Sequence, residues 1–222
     1  MKRIAMTALA IAVPLACGTD TGRQRTTFEV DVAGIDHVST NDLGWEIALT
    51  RADLTIGDLA FFEGDPLFAW SDLWIGKAYA HPGHYVEGEA LAELLEPATF
   101  DLLQNVPVLY GTADGVTGDY RSAEVRVDRV VLAGTATKDG RTVTFEWAGD
   151  IGTNVEGIAF GAIVDSPTGH VDLRVDLAKW FERADFSEVE DGVLVDESQP
   201  HRALLRGVVN TSGFLFERKE TP

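Results

Sequence analysis

Two imidazoles flank one rigid turn in Tyr79-Ala80-His81-Pro82-Gly83-His84-Tyr85. Proline followed by glycine at the centre of four residues is the sequence of a type II turn. Proline fixes φ, and glycine supplies the positive φ that the third position demands. The first and fourth Cα atoms of such a turn lie within about 7 Å, and here those positions are His81 and His84. A preorganised pair of nitrogen donors suits Cu(II), Zn(II) or Ni(II). The plainer alternative is a pair of solvated histidines, because two donors fall short of the three or four that a tight site needs. Three further imidazoles are available. His170 opens the longest alternating run of the chain and shares a face with Asp172, so it is the first candidate to complete a site. His37, in Gly34-Ile35-Asp36-His37, comes second. His201 stands beside a helix start and reads as surface.

The elements that must position these residues have a period of two. Phe28–Val32, Trp45–Thr50, Leu54–Phe61, Ala123–Val127, Val143–Trp147 and His170–Leu177 alternate apolar and polar side chains, the pattern of strands with one face buried. Asp139-Gly140 between two such runs is a hairpin signal. Gly57-Asp58, Asp114-Gly115 and Gly149-Asp150 punctuate the others as turns. Short helices are expected over 88–96, over 176–184, and from Ser198-Gln199-Pro200 to about 206, with the serine as cap. The predicted fold class is all-β, mainly an antiparallel β-sandwich with a few short helices, in one domain over 28–218.

The N-terminus has a different character. Met1-Lys2-Arg3 precedes the uncharged stretch Ile4–Ala16, a basic segment and a short apolar segment of the kind that directs secretion. As a helix that stretch spans about 20 Å, less than the roughly 30 Å of a bilayer core. Both methionines, Met1 and Met6, lie in this segment, and Cys17 is the single cysteine. Residues 18–27, polar and rich in glycine and threonine, read as a flexible tether. Beyond the leader the chain has a net charge of about −20, against −18 for the whole, so it repels phosphate backbones and nucleic acid is not an expected partner. A domain without thiolate or methionine sulfur must hold any metal through imidazole, carboxylate, phenolate or backbone oxygen.

Leu15-Ala16-Cys17-Gly18 resembles the cleavage box of bacterial lipoproteins. The resemblance implies a signal peptide over 1–17, lipidation of Cys17 as the mature N-terminus, and residence in the cell envelope. Glycine rather than aspartate after the cysteine implies an outer-membrane lipoprotein, facing the periplasm or the surface, whose membrane partner is reached through the lipid anchor. More diffusely, Gly44-Trp45 with Leu49-Thr50 (G-W-x-x-x-L-T) and the histidine pair resemble the copper-repressible surface proteins and their methanobactin-associated periplasmic relatives. That resemblance implies a secreted β domain that binds copper through histidines. The W-x-H element of that group is missing, since Trp74 stands seven residues before His81.

No G-x-S-x-G, G-x-x-x-x-G-K-[ST], G-x-G-x-x-G or H-E-x-x-H occurs, and no carboxylate pair stands out by spacing, so the chain does not read as an enzyme. The expected function is a membrane-tethered protein binding copper, or less favourably zinc, through His81 and His84 with His170 or His37. The alternative is a glycan- or protein-interaction module using the aromatic segment 61–85, in which Trp70 and Trp74 would stack on a ligand.

Overall fold

The computed structural model describes residues 22–66, 87–104, 106–166 and 168–219. The fold is all-β. Among the described residues eleven strands form one sheet: β1 (Arg25–Ile35), β2 (Val38–Thr40), β3 (Glu46–Phe62), β4 (Ala90–Leu94), β5 (Ala98–Asp101), β6 (Val108–Val116), β7 (Gly118–Lys138), β8 (Arg141–Val164), β9 (Thr168–Asp176), β10 (Gly192–Val193) and β11 (Phe214–Lys219). Their order is β10-β8-β7-β3-β4-β6-β1-β9-β11, with β2 and β5 also pairing with β3.

Several strands are longer than the punctuation of the sequence suggests. Gly57-Asp58, Asp114-Gly115 and Gly149-Asp150 lie inside β3, β6 and β8 rather than between strands. At Gly57-Asp58 the β3–β7 register shifts instead of ending. A bulge absorbs an extra residue and bends the strand, which is what a sheet wrapping around its own core requires. Only Asp139-Gly140 makes the expected turn. Both residues have positive φ, 51° and 79°, and the flanking Lys138 and Arg141 pair as a two-residue hairpin. Most neighbours are antiparallel, but β1 and β9 run parallel, as do β8 and β10. Strand β1 begins at Arg25, so the last residues assigned to the tether belong to the sheet.

The two ends of the sheet return towards each other around an aromatic interior. Phe61 of β3 packs against Phe28 of β1 at 5.2 Å, Phe160 of β8 at 5.2 Å and Phe216 of β11 at 5.5 Å. No backbone ladder joins β8 to β11. The Arg218 guanidinium donates across that gap to the Ile163 carbonyl. Phe61 and Phe62, the first two residues of the aromatic segment, are therefore core. Trp70 and Trp74 lie outside the described residues.

Among the described residues two helices, packed on each other, cover β1 and β8. Asp176 caps α1 (Leu177–Phe181), its carboxylate accepting from the Ala178 and Lys179 amides. Helix α2 (Gln199–Val208) has Pro200 in its first turn, but the Ser198 hydroxyl makes no capping bond. The helix expected over 88–96 is strand β4 instead. Its Leu91, Ala92 and Leu94 are buried beside β3, and tertiary pairing overrides the helical preference of Ala, Glu and Leu. Asn41 fastens α1 to the sheet. Its amide donates to the Phe181 and Ala184 carbonyls, and its oxygen accepts from the Leu43 and Trp45 amides. Trp45 is buried, and its indole donates to Asp185. The Gly44-Trp45 element thus anchors the core. Among the described residues no helix is long and apolar enough to cross a membrane.

Candidate metal centre

A charged lattice covers the outer face of β1, β9 and β11. Alternation turns Val30 and Val32 of β1, and Val171, Leu173 and Val175 of β9, into the core. The intervening residues are therefore left on the other face. The parallel register sets Glu29 beside His170 and Asp31 beside Asp172. The antiparallel register with β11 sets Lys219 beside His170 and Glu217 beside Asp172. Three strands widely separated in sequence so bring four carboxylates, one imidazole and one ammonium together.

His170 is the hub. Its Nε2 lies 3.1 Å from Asp172 Oδ1 and 3.3 Å from Asp31 Oδ2. Its Nδ1 is 3.9 Å from Glu29 Oε2. One donor atom from each of Asp31, His170 and Asp172 falls within a mutual 4.8 Å. Two donors bonded to one ion at about 2.1 Å, with angles of roughly 90–110°, stand about 3.0–3.4 Å apart. Both His170 distances fall in that range. Glu29 approaches the opposite ring nitrogen, where a carboxylate orients a metal-binding imidazole.

Asp172 is only 3% exposed although it belongs to the outer face. The side chains around it form its cover. Lys219 Nζ lies 2.5 Å from Oδ2, and Arg174 Nη2 lies 3.6 Å from the same oxygen and 3.0 Å from Glu217. Burial pushes the Asp172 carboxyl upward. The hydrogen bonds and charges of Lys219 and His170 together outweigh that and hold it below the ordinary carboxylate range. The ionised carboxylate is thus already paired with one cation, the Lys219 ammonium.

His170 and Asp172, paired on one face by the sequence, do meet. Asp31, the third candidate donor, is not singled out by the sequence. It is visible in the sequence only as one acidic position in the run Phe28–Val32, and nothing local announces that β1 runs parallel beside β9. His37 does not join them. It follows the far end of β1, six residues or about 20 Å of extended chain beyond Asp31. Its Nε2 is buried without a hydrogen-bond partner among the described residues. His201 is not a surface residue: its side chain is half-buried and its Nδ1 accepts from the Trp147 indole at 3.1 Å. His81 and His84, expected to flank a turn, and Cys17 lie outside the described residues.

A second carboxylate group, Glu87, Glu124 and Glu156, contains no nitrogen donor. Glu124 is buried and accepts from Asn154 Nδ2 at 2.6 Å. Burial first, then the charges of Glu156, Glu87 and Asp58, raise its carboxyl above the ordinary value. No protein-family model, curated protein or solved structure matches the chain.

Proposed function

We propose that this is an exported, lipid-tethered protein whose β domain binds one divalent transition ion through His170, Asp31 and Asp172. The carrying observation is the pair of donor separations at His170 Nε2, 3.1 and 3.3 Å, to two carboxylates fixed by strand register. One nitrogen and two oxygens suit Zn(II) as well as Cu(II), with copper the tighter binder on a given N/O site. Three protein donors leave a coordination position open for water or an exogenous ligand. The strands themselves set the spacing, so the backbone needs little reorganisation on binding.

The test is metal titration of the purified chain with Zn(II) and Cu(II), alongside His170→Ala and Asp31→Asn. Both residues retain solvent exposure, so both variants should fold. The expected result is one equivalent held by the parent and affinity at least about tenfold weaker in each variant, the 10–100-fold scale of losing a group at a metal site. Equal affinity in all three proteins would remove the assignment.

A further inference from the structure

The ammonium of Lys219 already occupies the position of a competing cation. It lies 2.5 Å from Asp172 Oδ2 while Oδ1 of the same carboxylate faces His170. The placement follows from the backbone: Lys219 is the β11 residue paired with His170, so the register delivers its side chain to the site. Arg174 is a weaker second cation, being drawn more closely to Glu217. Lys219 remains 49% exposed. Its flexible, strongly hydrated head can therefore withdraw into water rather than block the site outright.

A divalent ion held by Asp31, His170 and Asp172 would share the Asp172 charge with this ammonium and be repelled by it. We propose that Lys219 is a built-in competitor that sets the metal affinity of the site, its ammonium leaving Asp172 as the ion is bound. The inference rests on the metal reading above and specifies how that site is regulated. It makes the site responsive: the ammonium keeps Asp172 paired at low metal, and the ion must displace it. Lys219 is accordingly a positioning residue acting through Asp172, not a ligand.

The experiment is zinc titration by calorimetry of the full chain, comparing the parent with Lys219→Met, Lys219→Arg and Lys219→Met/His170→Ala. Only the binding component abolished by His170→Ala is scored, which separates this site from any other histidines. Methionine keeps the apolar stem and removes the charge; arginine keeps the charge. The expected result is zinc binding at least about tenfold tighter in Lys219→Met, with Lys219→Arg within about threefold of the parent and thermal melts showing all variants folded. Binding confined to Lys219→Met would support the competitor in its strongest form. Equal affinity in the parent and Lys219→Met would overturn the competitor and leave the metal site standing. Absence of the His170-dependent component from both proteins would overturn the metal reading itself, and the competitor with it.

Discussion

Glu124 and Asp172 are both buried carboxylates on this sheet, and their neighbours give them opposite behaviour. Asp172 faces Lys219, His170 and Arg174, whereas Glu124 faces Glu87 and Glu156 and has one amide donor, Asn154. The folded state raises the proton affinity of Glu124, so its ionisation opposes folding. For an acid whose folded value lies above the unfolded one, that penalty is fully present above the folded value. It disappears as pH falls below the unfolded value, about 4.3. Glu124→Gln keeps an oxygen for Asn154 and removes the repelled charge. The expected outcome is a Tm higher by about 2 °C or more at pH 7, the shift that roughly 1 kcal/mol produces in a domain of this size. The gain should fade to nothing near pH 4, as followed by thermal melts across pH. A destabilised variant at pH 7 would mean that Glu124 holds a stabilising cation instead. The residue scale is also where the sequence is least legible. Its alternation places Asp31, His170 and Asp172 on outer faces, but which outer faces adjoin depends on strand order. His37 and His170 are equally conspicuous as letters, yet His170 lies beside Glu29 within β1 while His37 follows the strand's last residue, Ile35.

Elements were more legible than their connections. The alternating runs all became strands, the Asp139-Gly140 hairpin formed as expected, and both helices after β9 stand near their predicted positions. Three errors share one physical cause. Glycine–aspartate pairs serve a bulge or an uninterrupted strand as well as a turn: the ladder shifts register at Gly57-Asp58 and just after Gly149-Asp150 but not at Asp114-Gly115, and only the facing strand decides between them. For the same reason segment 88–96 reads as helix from composition but pairs with β3, where its Leu and Ala side chains are buried. The packing of α2 on α1 depends on a residue that composition alone would call a helix weakness. A methyl group on Gly207 would lie 2.5 Å from the Trp180 carbonyl oxygen and 2.7 Å from its Cα, both backbone atoms that cannot step aside. On helical propensity alone, Gly207→Ala would stabilise by about 1 kcal/mol. Overpacking costs about 1–3 kcal/mol and opposes it. With backbone as the obstacle the steric term should win. The expected outcome is a net loss of about 1–2 kcal/mol in urea unfolding, with weakened protection of the α2 amides in hydrogen exchange. A more stable variant would show that the two helices separate freely.

At the scale of the whole molecule, the proposed tether and the charge of the body would act together. The chain carries a net charge of −18, so the folded body is repelled by anionic lipid headgroups and by nucleic acid alike. Close behind the proposed anchor the body is already held in place: Arg23 pairs with Glu63 at 2.9 Å and Glu89 at 3.1 Å. Between Cys17 and Arg23 the extended chain can span at most about 20 Å. That length exceeds the screening distance of about 8 Å at physiological ionic strength. The body can therefore stand clear of the headgroups' field while remaining within a few nanometres of the membrane. On the proposed arrangement the lipid on Cys17 would supply the membrane affinity, with none expected from the acidic surface of the described residues. Multiple acyl chains hold firmly where a single chain does not, so the parent should stay in the membrane fraction through washes at high and low salt. Cys17→Ser should be recovered in the soluble fraction at every salt concentration. Salt should not restore its membrane association, because screening removes repulsion without creating attraction. Fractionation followed by mass measurement of the N-terminus reads both the location and the lipid. A Cys17→Ser protein that still sediments with membranes at physiological salt would place the attachment elsewhere in the chain.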